Sequence, residues 1–192
     1  MSTILYSDGM LITDSGGVIE HGDINMFSRN TIQKIFTSRC NCVAIAMTGN
    51  IFTSDDDARD VADIFAKYLK KSGKLSSIDN DLLKELEDAI FKHASFFYFV
   101  LMTSIGKSIY TIESDFESKT LKIKINHLRY EELYVTGSGF LFAHTAVISG
   151  CDPIEAVKFA IRSDSVSRFP IQSISIDHLS KYVEETKEEP AE

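Results

Sequence analysis

Residues 1–17 read MSTILYSDGMLITDSGG, and this stretch predicts that the fold starts with an antiparallel β-hairpin. Ser2–Ser7 and Met10–Asp14 are short strand-forming runs. Asp8-Gly9 joins them, and both residues tolerate the positive φ angles that a two-residue hairpin turn requires. Ser15-Gly16-Gly17 ends the second strand. Ser2 is therefore predicted to open the first strand, directly after the initiator methionine.

Behind this hairpin, strands and helices come in groups along the chain. Further strands are predicted at Lys34–Ser38, Cys42–Met47, Phe96–Ser104, Ser108–Glu113, Leu121–Ile125, Leu133–Thr136 and Ile171–Ile176. Helices are predicted from Asp55, after Asp79-Asn80, over Phe140–Ser149, from Asp152-Pro153 and over Asp177–Val183. Thr48-Gly49-Asn50 is predicted as a turn.

The grouping of the elements indicates the fold class. Because strands and helices do not alternate, two stacked sheets with a helix layer on each outer side would bury both groups. The sequence therefore predicts an α+β protein, a four-layer α-β-β-α sandwich. Residues 1–183 are predicted to form a single domain, and residues 184–192, which hold five Glu and one Lys, an acidic tail.

Composition narrows the classes of function. The chain has 192 residues, 44% of them hydrophobic, and a formal net charge of −8. No basic stripe is present, which argues against a nucleic-acid partner. No apolar run reaches the roughly 18 residues of a membrane span, and no secretory signal opens the chain, so no membrane partner and a cytoplasmic location are expected.

Two clusters of potential metal ligands have simpler interpretations. Cys40 and Cys42 would point to the same face of a strand, but the two further ligands of a tetrahedral site are not evident. With Cys151 the cysteines are odd in number and fit a reducing compartment. The Asp55-Asp56-Asp57 triplet fits the first turn of a helix, where the helix dipole favours anions. We expect no metal and no cofactor.

Six features follow one another in a fixed order along the chain. They are Ser2-Thr3-Ile4 at the start, Asp14 before Ser15, Lys34 in QKIF, the segment VAIAMTGN at 43–50, the GSG at 137–139, and Asp164 with Ser167 after a helix. With them the chain resembles the proteasome-like branch of the N-terminal nucleophile (Ntn) hydrolases. That branch comprises proteasome β subunits and the peptidase ring of the bacterial two-component ATP-dependent protease. The resemblance covers nearly the whole chain and implies the same sandwich fold.

The resemblance also implies an acyl-transfer mechanism. Ser2 would be the nucleophile once Met1 is removed, and its free α-amine, with a pKa of about 7.7–8.0, would be the base. Lys34 would favour the alkoxide and lower the proton affinity of the amine, and Asp14 would hold Lys34. The residues expected to orient the amine are Ser138, Asp164 and Ser167. The N–H of Thr48 or that of Gly49 would stabilise the oxyanion.

Two classes of function stay open at the level of the sequence. The first is a hydrolase of peptide or amide bonds in a homo-oligomeric ring, with an ATP-dependent unfoldase as a candidate partner. The second is a non-catalytic assembly or scaffold component of the same fold. A serine at the nucleophile position, a short first hairpin and the bulky Arg168-Phe169-Pro170 after Ser167 favour the second class. Ser2 would then be an ordinary terminal residue.

Overall fold

The structure is a computed structural model that describes residues 3–16, 18–21, 24–27, 32–49, 55–75, 80–90, 97–117 and 120–179. Its strands are β1 Thr3–Ser7, β2 Met10–Thr13, β3 Val18–His21, β4 Ile24–Phe27, β5 Ile35–Thr37, β6 Val43–Gly49, β7 Phe97–Thr103, β8 Ser108–Glu117, β9 Thr120–Leu128, β10 Tyr134–Gly137 and β11 Gln172–Ser175. Its helices are α1 Asp55–Ser72, α2 Asn80–Ile90, α3 Phe140–Ile148 and α4 Pro153–Ser163.

The strands form two antiparallel sheets and one separate hairpin. The first sheet has the order β10-β1-β2-β11, and the second has the order β5-β6-β7-β8-β9. The remaining pair, β3 with β4, stands as a two-stranded hairpin. Strands β5 and β11 each lie at an edge of their sheet, and they contact each other.

Three apolar clusters show how the layers stack. One lies between α1, α2 and the outer face of the second sheet. Another lies between the two sheets, with Ile4 and Leu11 from the first and Ala46 and Val100 from the second. The third lies between the first sheet and helices α3 and α4. This is the predicted α-β-β-α sandwich, and the predicted fold class is confirmed.

Local sequence explains several elements directly. Asp8 has φ of 47° and Gly9 has φ of 75°, so the predicted tight turn joins β1 to β2. Strand β7 is an unbroken apolar run because its residues alternate between the helix-facing and the inter-sheet cluster, and both faces are buried. Asp55, Asp56 and Asp57 occupy the first turn of α1, as predicted.

The structure differs from the prediction in several places. The hairpin β3–β4 was not predicted, although Gly22-Asp23 in the sequence is a hairpin turn signal. Thr48 and Gly49 were predicted as a turn but continue β6, because the ladder to β7 extends to Tyr98 and Phe97. In place of the start of a last helix there is a 3₁₀ turn at Ile176–His178. Residues 180–183 of that predicted helix lie outside the described residues.

The pairing of two cysteines was also not predicted. A disulfide joins Cys40 to Cys42 in the turn between β5 and β6, and Cys151 is free and exposed. The spacing of the cysteines resembles no disulfide framework, so the sequence carried no signal for this bond.

Candidate active site

A buried ion pair lies where the start of β5 meets the end of β2. Lys34 Nζ donates to Asp14 Oδ1 at 2.8 Å, and both side chains are 0% exposed. The N–H of Thr3 donates to the same oxygen at 2.8 Å. Asp14 Oδ2 accepts from the N–H of Gly16 at 2.8 Å and from the N–H of Arg168 at 3.0 Å. Four donors therefore surround one carboxylate, which is how a buried charge is kept tolerable.

The ammonium of Lys34 is in a different situation from the carboxylate. Burial lowers the pKa of Lys34, while the charge of Asp14 and the hydrogen bond to it oppose that shift. The charge of Asp164 opposes it as well. Among the described residues, Asp14 accepts the hydrogen bond that Nζ donates. A lysine held this way is a fixed cation whose proton is easier to release than that of a surface lysine.

A second network runs through hydroxyl groups to Asp164. Ser138 Oγ and Ser167 Oγ each donate to Asp164 Oδ2 at 2.6 Å, and the N–H of Ser167 donates to it at 3.1 Å. Burial alone would raise the pKa of Asp164. The hydrogen bonds from Ser138 and Ser167, with that from the N–H of Val166, outweigh burial and lower this pKa. Asp164 is therefore an anion at neutral pH.

The two networks meet at Thr3. Thr3 Oγ1 lies 2.8 Å from Ser167 Oγ, and the Thr3 N–H is held by Asp14. Thr3 is fully buried. A Cβ on Gly139 would lie 2.1 Å from Thr3 Oγ1, so only a glycine lets the GSG segment approach β1 this closely. The first strand is thus held in place immediately after position 2.

Comparison with solved structures places this arrangement in a known fold. HslV from Trypanosoma brucei superposes with a TM-score of 0.50 at 14% identity, covering 90% of this chain and 99% of HslV. Anbu, the ancestral β-subunit from Yersinia bercovieri, superposes with a TM-score of 0.52 at 9% identity, covering 94% of this chain and 85% of Anbu. Both are proteasome-like Ntn hydrolases. The chain has the Ntn-hydrolase fold.

Sequence comparison adds nothing to this assignment. No family model and no curated protein matches the sequence. The resemblance read from the motifs is confirmed at the level of the fold.

Within the Ntn fold, most of the predicted site residues come together. Asp14, Lys34, Ser138, Asp164 and Ser167 all belong to the two networks around Thr3. Ser2 lies outside the described residues. The catalytic roles of all of these residues remain predictions.

The predicted oxyanion donors directly follow a residue that bonds to the main chain of Lys34. Thr48 and Gly49 end β6, directly after Met47, whose N–H donates to the carbonyl of Lys34 at 3.1 Å. The end of β6 therefore runs alongside the residue that carries the cation. Their role in binding an oxyanion also remains a prediction.

Two residues of the site were missed by the sequence analysis as bonding partners. Thr3 is quoted in the opening motif, but nothing in the motif signals that its hydroxyl bonds to Ser167. Gln172 was assigned only to a strand, and its side chain bonds to the main chain on both sides of Gln33. Side-chain bonds between distant strands have no local sequence signature.

The described residues hold no cluster of three or more His, Cys, Asp or Glu side chains arranged to bind a metal ion. Within the same ranges, none of the helices combines the length and the apolar character needed to cross a membrane.

Proposed function

We propose that this protein is a proteasome-like Ntn hydrolase that cleaves peptide or amide bonds. Ser2 is the nucleophile after removal of Met1, and its free α-amine is the general base. One observation carries the proposal: two separate polar networks converge on Thr3, the residue bonded to Ser2. A fold that needed only stability would have little use for a fully buried lysine, since lysine is almost never fully buried.

The proposed chemistry uses the groups of the two polar networks that meet at Thr3. A serine hydroxyl is a weak nucleophile, and an amine with a pKa of about 7.7–8.0 can accept its proton near neutral pH. Lys34 stabilises the developing alkoxide by its charge, and Asp14 holds Lys34. Asp164, through Ser138 and Ser167, orients the amine. The N–H of Thr48 or of Gly49 stabilises the oxyanion, a contribution of about 2.7–4 kcal/mol per donor.

The first test is the intact mass of the native protein, followed by labelling with a β-lactone that acylates an activated hydroxyl. We expect the mass of the native protein to be lower by one methionine. After labelling, we expect one covalent adduct, mapped to Ser2 by peptide sequencing. Ser2→Ala should abolish the adduct. Ser7→Ala is the matched control, because Ser7 is the same residue type at the end of β1 and its hydroxyl donates to the neighbouring Asp8. A mass that retains Met1, or an adduct on another residue, would refute the proposal.

The charged groups give a second test. Lys34→Met should abolish both labelling and hydrolysis of fluorogenic peptides, while circular dichroism stays that of the folded wild type. Undiminished labelling of this variant would show that Lys34 plays no part in the reaction.

A non-catalytic scaffold of the same fold is the second candidate function. It is favoured by the hydroxyl network, in which Ser167 Oγ already has two partners: it donates to Asp164 and contacts Thr3. Such bonds would serve a purely structural role equally well. Retention of Met1 together with normal stability would favour this candidate, since residue 2 would then have a non-basic amide nitrogen.

Assembly and location belong to the same proposal. We propose a homo-oligomeric ring that degrades peptides, with an ATP-dependent unfoldase as partner, and native mass spectrometry tests the ring. We also propose a cytoplasmic location. The Cys40–Cys42 disulfide counts against this location, because disulfides are rare in the cytosol. Alkylation of freshly lysed cells without reductant would leave both thiols modified if the compartment is reducing.

A further inference from the structure

The side chain of Gln172 is a bridge between the two sheets. Gln172 opens β11, an edge strand of the first sheet. Its Oε1 accepts from the N–H of Lys34 at 2.8 Å and from the N–H of Ile35 at 3.2 Å. Its Nε2 donates to Ser15 Oγ at 2.6 Å and to the carbonyl of Ile32 at 2.7 Å.

These four bonds use the whole hydrogen-bonding capacity of a glutamine amide, which has two acceptor lone pairs and two N–H donors. The two main-chain N–H groups require the oxygen on their side, and the Ile32 carbonyl requires the NH₂ group on the other. The orientation of the amide is therefore set by its partners. No other natural side chain of this length offers two acceptor sites and two donors in one plane.

The partners of Gln172 flank both members of the buried ion pair. Ser15 directly follows Asp14 in the sequence, and Ser15 itself is 1% exposed. Lys34 is held through its own N–H and through the neighbouring groups of Ile32 and Ile35. One side chain thus ties the main chain that carries the cation to the hydroxyl of the residue that follows the anion.

We propose that Gln172 is a positioning residue for the site, which keeps the Lys34 ammonium buried against Asp14. It touches no reacting atom. In the reaction it acts through Lys34, so this role in catalysis rests on the proposed function. Its effect on the position of Lys34 does not depend on catalysis and can be measured in a protein that hydrolyses nothing.

The test is the titration of Lys34 in protein labelled with ¹³C at lysine Cε, followed by NMR. The Lys34 signal is assigned by its absence from the spectrum of Lys34→Met. In Gln172→Met the segment around Lys34 loses three bonds and Ser15 loses one, so the ammonium gains access to water. We expect the pKa of Lys34 to rise towards its ordinary value. The charges that act on Lys34, those of Asp14 and Asp164, are unchanged in the variant.

The chain offers a matched control in Gln33→Met. Gln33 is the same residue type one position before Lys34, but it is exposed and donates one hydrogen bond, to the carbonyl of Ile35. This variant should leave the Lys34 titration at the wild-type value. Gln172→Asn is the second variant, for the case in which Gln172→Met does not fold. It keeps the amide but is one methylene too short to reach all four partners, and the same upward shift is expected.

The outcomes separate the two proposals. An upward shift in a Gln172 variant with no shift in Gln33→Met supports the positioning role, whether or not the wild type labels at Ser2. If the wild type is labelled, the Gln172 variant should be labelled at least tenfold more slowly at saturating β-lactone. The β-lactone concentration that gives half the maximal rate should change by less than twofold. An unchanged Lys34 titration in a folded Gln172 variant overturns the inference. An equal shift in Gln33→Met overturns it as well.

Discussion

Removing either charge of the Asp14–Lys34 pair should destabilise the protein, but by unequal amounts. Loss of one member of a buried ion pair costs about 3–5 kcal/mol, because the other charge stays buried without its partner. In Lys34→Met the Asp14 carboxylate keeps three main-chain donors, the N–H groups of Thr3, Gly16 and Arg168. Each charge-assisted bond of this kind contributes about 1.5–3 kcal/mol. The remaining charge is therefore still well compensated.

In Asp14→Ala the consequences are larger. The Lys34 ammonium loses its one hydrogen-bond partner among the described residues. The three N–H groups lose their acceptor, at a cost of about 1–3 kcal/mol for each that stays unpaired. We expect Asp14→Ala to destabilise the protein by at least about 2 kcal/mol more than Lys34→Met. An ordinary domain has a stability of about 5–15 kcal/mol, so Asp14→Ala approaches the limit at which the protein still folds.

Urea unfolding of both variants measures this difference. At a slope of about 1–3 kcal/mol per molar urea, the two midpoints should differ by roughly 1 M. The double variant should be more stable than Asp14→Ala alone, because no charge remains buried. Asp60→Ala is the control: Asp60 pairs with Arg39 at the surface with both side chains more than half exposed, and such pairs contribute about 0–1 kcal/mol. The reasoning is refuted if Lys34→Met is as destabilising as Asp14→Ala.

Three further changes test other parts of the structure. Gly139→Ala should lower the free energy of unfolding by about 1–3 kcal/mol by thermal or urea melts, since its Cβ would lie 2.1 Å from Thr3 Oγ1; an unchanged value would contradict the close approach. Hydrogen bonds lower the pKa of Asp164, so its stabilising effect is present above about pH 4 and is lost as the pH falls through the lowered value. The loss in free energy of unfolding caused by Ser138→Ala should therefore be largest near pH 7 and smaller at pH 3. Equal losses in urea melts at the two pH values would contradict this expectation. Tyr98→Phe should leave stability unchanged or raise it by about 1 kcal/mol, because the buried Tyr98 hydroxyl has no partner among the described residues. A clear loss of stability in calorimetry would contradict this, since it would mean that the hydroxyl has a hydrogen-bond partner.

The elements that could be predicted are those with a local physical cause. The Asp8-Gly9 turn needs only the tolerance of its own two residues for positive φ. Asp152-Pro153 starts α4 because the Asp152 side chain accepts from the N–H groups of Ile154 and Glu155. The unbroken apolar run of β7 required burial on both faces, and the two clusters on either side of it provide that burial.

The elements that could not be predicted depend on distant neighbours. Thr48 and Gly49 read as a turn by residue type, and the pairing partners on β7 override that preference. Lys34 by itself reads as a surface lysine, and its complete burial depends on a carboxylate 20 residues earlier in the chain.

By itself, the sequence determined the class of fold, the first hairpin, the helix starts and the order of the motifs that resemble an Ntn hydrolase. These follow from hydrophobic periodicity and turn chemistry, which act between near neighbours. Only the tertiary structure decided which polar groups meet. Thr3 and Ser167 are 164 residues apart, and Gln172 bonds to Ser15 across 157 residues. Such bonds form because the stacked sheets bury both partners away from water, so each must find the other, and no local pattern records which partner that is.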